Sequence, residues 1–359
     1  MLTEKQIDEI KEHLENAVNP LFFYDNDADG LCSFLILRRY SQKGKGVAVR
    51  SYPGLNMQYA KKAKELNADC IFVLDKPILE KEFVEEIEKM NLPLIWIDHH
   101  EMESMSPENF KGNKNFHSYN PIRNAPPYKS SEPVTYICYR ITQRKEDLWI
   151  AMIGCISDHF LPDFKEEFKD KYGELWGNVK EPFDAYFNTE IGKISQAFNF
   201  GLKDSTSNIV KFQNFLITCK TPHEVLSEVP SNHSFRKKYQ EIKKKYDSLL
   251  NKALKQKDEK LIFFSYAGDL SISSEISNEV HFRNPKKIIV IAYKKGVVCN
   301  VSLRGKNVRK ILEKILPLLE NSSGGGHEDA VGARINTTDL DKFKNLLKRE
   351  LNIVNDLVN

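Results

Sequence analysis

The chain has 359 residues, 41% of them hydrophobic and 29% charged, with a formal net charge of +3. That charge is too small to imply a nucleic-acid or anionic partner by itself, and no run approaches the roughly 20 unbroken apolar residues of a membrane span. The six cysteines form no CxxC pair, which argues against a structural zinc site and reads as reduced packing residues.

The start, "MLTEKQIDEI", lacks the apolar core of a secretion signal, so a cytoplasmic location is expected. Thr3 and Gln6 have the spacing of a capping box, which predicts a first helix near 4–17. Apolar runs near 21–25, 47–52, 70–75 and 93–98 then alternate with helix-like segments near 30–42, 56–67 and 79–90. Such alternation indicates βαβ units and a parallel sheet. From about 131 to 228 the pattern is mostly helical, broken at Pro162, Gly173, Pro182 and Pro222.

A long polar helix is expected over 234–257, with nine Lys or Arg against two acids. It reads as a solvated linker or, more sharply, as a basic wall beside a nucleic-acid groove. "KLIFFSY", "KKIIVIAY" and "GVVCNVSLRG" begin a second, smaller α/β unit. A helix near 307–317, the stretch "SSGGGHEDAVGARI" and an amphipathic helix from about 338 complete it. The expected organisation is a parallel-sheet domain with a helical extension over 1–230, a basic helical linker over 231–258 and an α/β domain over 259–359.

"LIWIDHH", residues 94–100, poses the chemical question. A buried strand that ends in a carboxylate and two imidazoles is costly unless something gathers around it. "LFFYD" ends at Asp25, "CIFVLD" at Asp75 and "LIWID" at Asp98, and in an open parallel sheet the ligand crevice lies outside the carboxyl ends of the strands. "DNDADG" adds Asp27 and Asp29 to Asp25, and "GCISDH" adds Asp158. Carboxylates sharing one rim repel and raise one another's pKa values. Divalent cations remove that repulsion, and imidazole with carboxylate suits Mn²⁺, with Mg²⁺ as the harder substitute.

Each motif also has a plainer reading. Asp25, Asp27 or Asp29 alone could serve a turn or a helix cap, and Asp98-His99-His100 alone could be a capped strand end. A calcium-binding loop would need Glu at its twelfth position, where Ile36 stands. The conjunction at three successive strand ends favours the metal. His159 reads as a supporting or structural residue. His13, His117, His223, His233 and His281 have no partner in sequence and read as packing. In the second unit, Gly324, Gly325 and Gly326 would let backbone N–H groups approach an anion as a nest with His327 at its rim. Arg304 in "VSLRG" could grip a phosphate with two N–H groups. The plainer alternatives there are a flexible turn and a surface ion pair.

Together these motifs resemble the DHH phosphoesterase superfamily, named for the Asp-His-His that stands here at 98–100. "DNDADG", Asp75 in "VLDKP", "DHH" and Asp158 in "IGCISDH" follow the order of its four motifs. The "GGGH" stretch is the hallmark of the DHHA1 type of second domain. The resemblance implies a two-metal phosphoesterase running on Mn²⁺. Asp27 and Asp75 would hold one ion with Asp25 nearby, and Asp29, Asp75, His99 and Asp158 the other. Asp98 would orient the histidines, and His100 would face the scissile phosphate. Arg304 and the GGGH stretch would hold the substrate's terminal phosphate.

The implied activity is an exonuclease on single-stranded DNA or short RNA oligonucleotides, similar to RecJ-like and nanoRNase enzymes. The alternatives are a phosphodiesterase of cyclic dinucleotides or of 3′-phosphoadenosine phosphate, or a replication-complex scaffold. Many relatives carry His in place of Asp25, and Lys76-Pro77 after the second motif has no reading from the family. Since the sequence ends soon after the second unit, the extra OB-fold of bacterial RecJ is not expected.

Overall fold

The computed structural model describes residues 1–51, 54–101, 110, 112–256 and 258–351. Positions 52, 257 and 352–359, which the expected second strand, long helix and last domain include, lie outside the described residues. The chain divides into two compact units, Met1–Tyr239 and Gln240–Asn359.

The first unit is built on five parallel strands: β1 (Pro20–Asp25), β2 (Lys45–Val49), β3 (Cys70–Leu74), β4 (Leu94–Ile97) and β5 (Phe116–Tyr119), in the order β2-β1-β3-β4-β5. Four of these match the runs read from sequence. β5 was not anticipated, because "FHSY" is half polar and only partly buried. Both faces of the sheet are covered, which is why the inner strands read as unbroken apolar runs. Phe22, Tyr24, Phe72, Leu74, Ile95 and Ile97 join the core on one face. Leu21, Phe23, Ile71, Val73, Leu94 and Trp96 join the core on the other. The first helix, Glu4–Asn16, carries the expected capping box between Thr3 and Gln6.

Two features of this sheet position a site. The strand order reverses direction between β1 and β3, the kind of switch point at which open α/β sheets leave a crevice. The register pairs Tyr24 with Leu74 and Leu74 with Ile97, so the residues that follow, Asp25, Asp75 and Asp98, form one row across the strand ends. The ladder extends by hydrogen bonds from Asp75 N to Ile97 O (3.0 Å) and from Asp98 N to Tyr119 O (3.1 Å).

The second unit has a mixed sheet: β6 (Leu261–Ala267), β7 (Ile288–Lys295), β8 (Val298–Arg304), β9 (Ser323–His327) and β10 (Ala330–Asn336), in the order β6-β7-β8-β10-β9. Only β6 and β7 pair in parallel. Helices Val308–Ile315 and Leu340–Glu350 pack on one face through Leu312, Ile315, Phe343 and Leu347. The glycine stretch read as a loop is strand β9. It pairs antiparallel with β10 from Ser323–Arg334 to His327–Ala330, with Gly326 at φ +141°. The helix His233–Leu254 buries Phe235 against Phe212 (ring centroids 4.0 Å) in the first unit. Farther along, Tyr246 bonds to Glu279 within the second.

Candidate metal centre

Asp27 caps the helix Ala28–Ser41, its Oδ1 accepting from Gly30 N at 2.9 Å. Gly30 is obligatory, because a Cβ there would lie 2.5 Å from Asp25 O. One residue into the helix, Asp29 is buried, and its two carboxylate oxygens accept from Val134 N (2.9 Å) and Thr135 N (2.8 Å). Those amides open the helix Val134–Thr142, where free N–H groups favour a negative charge. Asp158 ends the helix Leu148–Ser157. That helix is brought close by Gly154, where a Cβ would meet Thr135 Oγ1 at 2.1 Å.

Asp75 follows β3 in a left-handed conformation (φ 59°) and is 2% exposed. Its Oδ1 is buried without a hydrogen-bond partner among the described residues. His99 Nε2 stands 3.4 Å from that oxygen and 3.6 Å from Asp158 Oδ2. His99 Nδ1 lies 3.3 Å from Ser131 O. A carbonyl can only accept, so Nδ1 carries the proton and Nε2 keeps its lone pair for a ligand role. Asp98 serves His100, accepting from its Nδ1 (2.9 Å) and its backbone N (3.0 Å). Asn120 steadies that pair by donating to Asp98 Oδ2 (3.4 Å) and to His100 O (3.0 Å).

The electrostatics follow from burying acids together. Asp75 is pushed well above the ordinary carboxylate range by burial and then by Asp29, Asp27, Asp25 and Asp158. Asp27 rises to about 7 through burial, Asp25 and Asp29. Asp158 rises to about 6, mainly through burial, with His99 pulling the other way. Burial works against a charged His100, but the hydrogen bond and charge of Asp98 outweigh it and raise the imidazole to about 9.

Among the described residues, two sets of side chains bring ligand atoms within 4.8 Å of one another: Asp75, His99 and His100, and Asp29, His99 and Asp158. A partnerless buried carboxylate oxygen facing an imidazole lone pair fits a divalent cation. Asp25 stands in neither set. Its Oδ1 is taken by Lys76 Nζ at 2.8 Å, a partner that sequence reasoning missed. Only the apolar context of "VLDKP", which buries the lysine, could have hinted at it.

In the second unit the structure shows what surrounds the remaining candidate residues. Arg304 donates from Nε to Asn278 Oδ1 (2.6 Å), from Nη1 to Leu303 O (2.8 Å) and Val331 O (3.4 Å), and from Nη2 to Ser274 Oγ (3.0 Å). Burial lowers its pKa to about 10. With these bonds made, one Nη2–H remains, so a two-pronged grip on phosphate requires Nε or Nη1 to release one of its partners. Gly324, Gly325, Gly326 and His327 lie on an exposed edge strand. On the long helix, Lys243 is paired with Asp247, and Lys245 with Asp269 (3.1 Å) and Glu241 (3.4 Å).

Fold and site thus define an α/β protein with a carboxylate–imidazole centre at the switch point of a parallel sheet. Residues 21–148 match the DHH family, N-terminal domain, and residues 258–353 match the DHHA1 domain, together well over half of the chain. The chain therefore carries a DHH-family N-terminal domain and a DHHA1 domain. Its structure is similar to that of RecJ from Thermus thermophilus in complex with Mn²⁺, with a TM-score of 0.71 at 16% identity. That match covers 100% of this chain and 56% of the Thermus protein, so the chain spans little more than half its length. An exonuclease RecJ bound to manganese gives 0.63 at 15% identity, covering 99% and 96% of the two chains. CDC45 from Entamoeba histolytica gives 0.54 at 12%, covering 96% and 98%. At such identities the likeness shows the fold. No curated protein sequence matches the chain. No helix among the described residues is long and apolar enough to cross a membrane.

Proposed function

We propose that the protein is a divalent-metal-dependent phosphodiesterase that removes nucleotides from the ends of single-stranded DNA or short RNA. The observation that carries this reading is the orphaned Oδ1 of buried Asp75 beside the Nε2 of His99, inside a ring of acids that repel one another. Asp29, Asp75, His99 and Asp158 are the residues that would hold Mn²⁺, with Mg²⁺ as the substitute. The ion would supply a Lewis acid and lower the pKa of the attacking water. The chain's own residues do the rest. Ser131 O fixes the tautomer of His99, and Val134 N and Thr135 N fix the carboxylate of Asp29. Asp98 keeps His100 protonated and leaves its Nε2–H to meet a phosphate oxygen. Arg304 and the strand Gly324–His327 are the candidate contacts for the substrate's terminal phosphate.

The filled ligand positions favour an enzyme over a replication-complex scaffold. Nothing in the site singles out cyclic dinucleotides or 3′-phosphoadenosine phosphate. The test is digestion of 5′- and 3′-labelled DNA and RNA oligomers of several lengths, with Mn²⁺, with Mg²⁺ and with EDTA. End-wise cleavage that EDTA abolishes is expected, and short oligomers are expected to be cut best. Unchanged cleavage in EDTA, or none of any oligomer with Mn²⁺, would refute the proposal.

A further inference from the structure

We infer that Lys76 is a built-in cation of the metal centre: its ammonium holds Asp25, so that Asp25 does not ligate and the centre takes up one divalent ion, on the His99 side. The inference rests on the metal-centre reading above and departs from the two ions implied by the family resemblance.

Lys76 is 4% exposed. A buried ammonium persists only when paired and hydrogen-bonded, and this one donates to Asp25 Oδ1 at 2.8 Å and to Ser51 O at 3.2 Å. Its backbone is fixed too, because Trp96 Nε1 donates to Lys76 O at 2.8 Å. The ammonium cannot swing into solvent without breaking both of its hydrogen bonds. A divalent ion on the same carboxylate would sit within a few ångströms of the ammonium, where two positive charges in a poorly screened site repel strongly.

The ligand geometry agrees. Both sets of converging side chains contain His99, and neither contains Asp25 or Asp27. The acids of the rim are thus balanced from two directions: by a resident lysine over the end of β1 and by an exchangeable ion over the ends of β3 and β4. Lys76 is a positioning residue in this scheme. It acts through Asp25 and touches no reacting atom.

The test is Mn²⁺ uptake by the full chain, followed by equilibrium dialysis and by the electron paramagnetic resonance of the bound ion. One Mn²⁺ per chain with an uncoupled signal is expected for the wild type and for Lys76→Arg. Asp25→Asn should keep that ion with less than about a threefold change in affinity. Lys76→Met should free the Asp25 carboxylate and admit a second Mn²⁺, with the spin coupling of two adjacent ions. Two ions of comparable affinity in the wild type, or loss of an ion in Asp25→Asn, would overturn the inference and leave the metal-centre reading standing. Should Lys76→Met fail to fold, the wild type and Asp25→Asn decide. No Mn²⁺ uptake by the wild type would overturn both.

Discussion

The two sheets of this protein treat their polar residues in opposite ways. In the first, acids are crowded at the strand ends and left short of partners: Asp75 Oδ1 has none among the described residues, and Asp27, Asp75 and Asp158 are all raised by burial and mutual repulsion. In the second, the half-buried cation Arg304 makes four hydrogen bonds with its own surroundings, while the glycine strand is exposed along its length. The first unit therefore keeps unsatisfied charge that an ion can satisfy. The second is internally satisfied and presents backbone at an edge.

The comparison breaks most visibly at Asp75. Asp75→Asn is expected to lower cleavage on the order of 10³-fold or more by removing several kcal/mol of transition-state stabilisation. The same change should stabilise the metal-free protein, because it removes a buried, repelled charge, and Asn accepts the left-handed backbone as readily as Asp. Single-turnover kinetics and thermal melts in EDTA measure the two effects. Loss of both activity and metal-free stability would mean that Asp75 is simply structural.

Arg304→Ala tests the other side. If the guanidinium ties β8 to the helix Ser273–Arg283, the variant should lose about 1.5–3 kcal/mol of stability while binding Mn²⁺ as the wild type does. Denaturant melts with calorimetric Mn²⁺ titration give the answer. Unchanged stability with weakened oligonucleotide binding would return Arg304 to a pure substrate role.

A third prediction uses pH. Asp27 and Asp158 have folded pKa values of about 7 and about 6, above the ordinary 3.8. Between those limits the folded, metal-free protein holds more protons than the unfolded chain. Stability from this source is complete below about pH 4 and is lost as the pH rises through 6 to 7. In EDTA the melting temperature should thus fall between about pH 4 and pH 7. With saturating Mn²⁺ it should not, because ion binding displaces the protons. Parallel profiles with and without the ion would contradict the account.

The smallest effect is expected at Gly325. A Cβ there meets nothing within 4 Å, whereas one at Gly326 would meet Ala330 O at 2.5 Å with φ at +141°. Gly325→Ala should change stability by less than about 0.5 kcal/mol, and Gly326→Ala should destabilise by more than that. If Gly325→Ala nonetheless weakens oligonucleotide binding, the strand edge is where substrate approaches.

Much of this was legible in the sequence, and for a common reason. The strands β1, β3 and β4 are continuous apolar runs that stop at an acid, so strand, stop and candidate ligand all lie within a few residues. The capping box at Thr3, the cap at Asp27 and the pairing of Asp98 with His100 are equally local. Tertiary structure decided whatever depends on residues far apart. Lys76 reaches Asp25 across 51 positions, and the amides of Val134 and Thr135 reach Asp29 across 105 and 106. No periodicity encodes such partners. Nor does a run of glycines carry a side-chain pattern, so β9 is a strand only because β10 offers it hydrogen bonds. Asp158 shows both sides. Its motif was readable, but its place beside His99 depends on the close approach that Gly154 allows between two helices. Local chemistry named the acids and imidazoles, and long-range packing determined which of them meet.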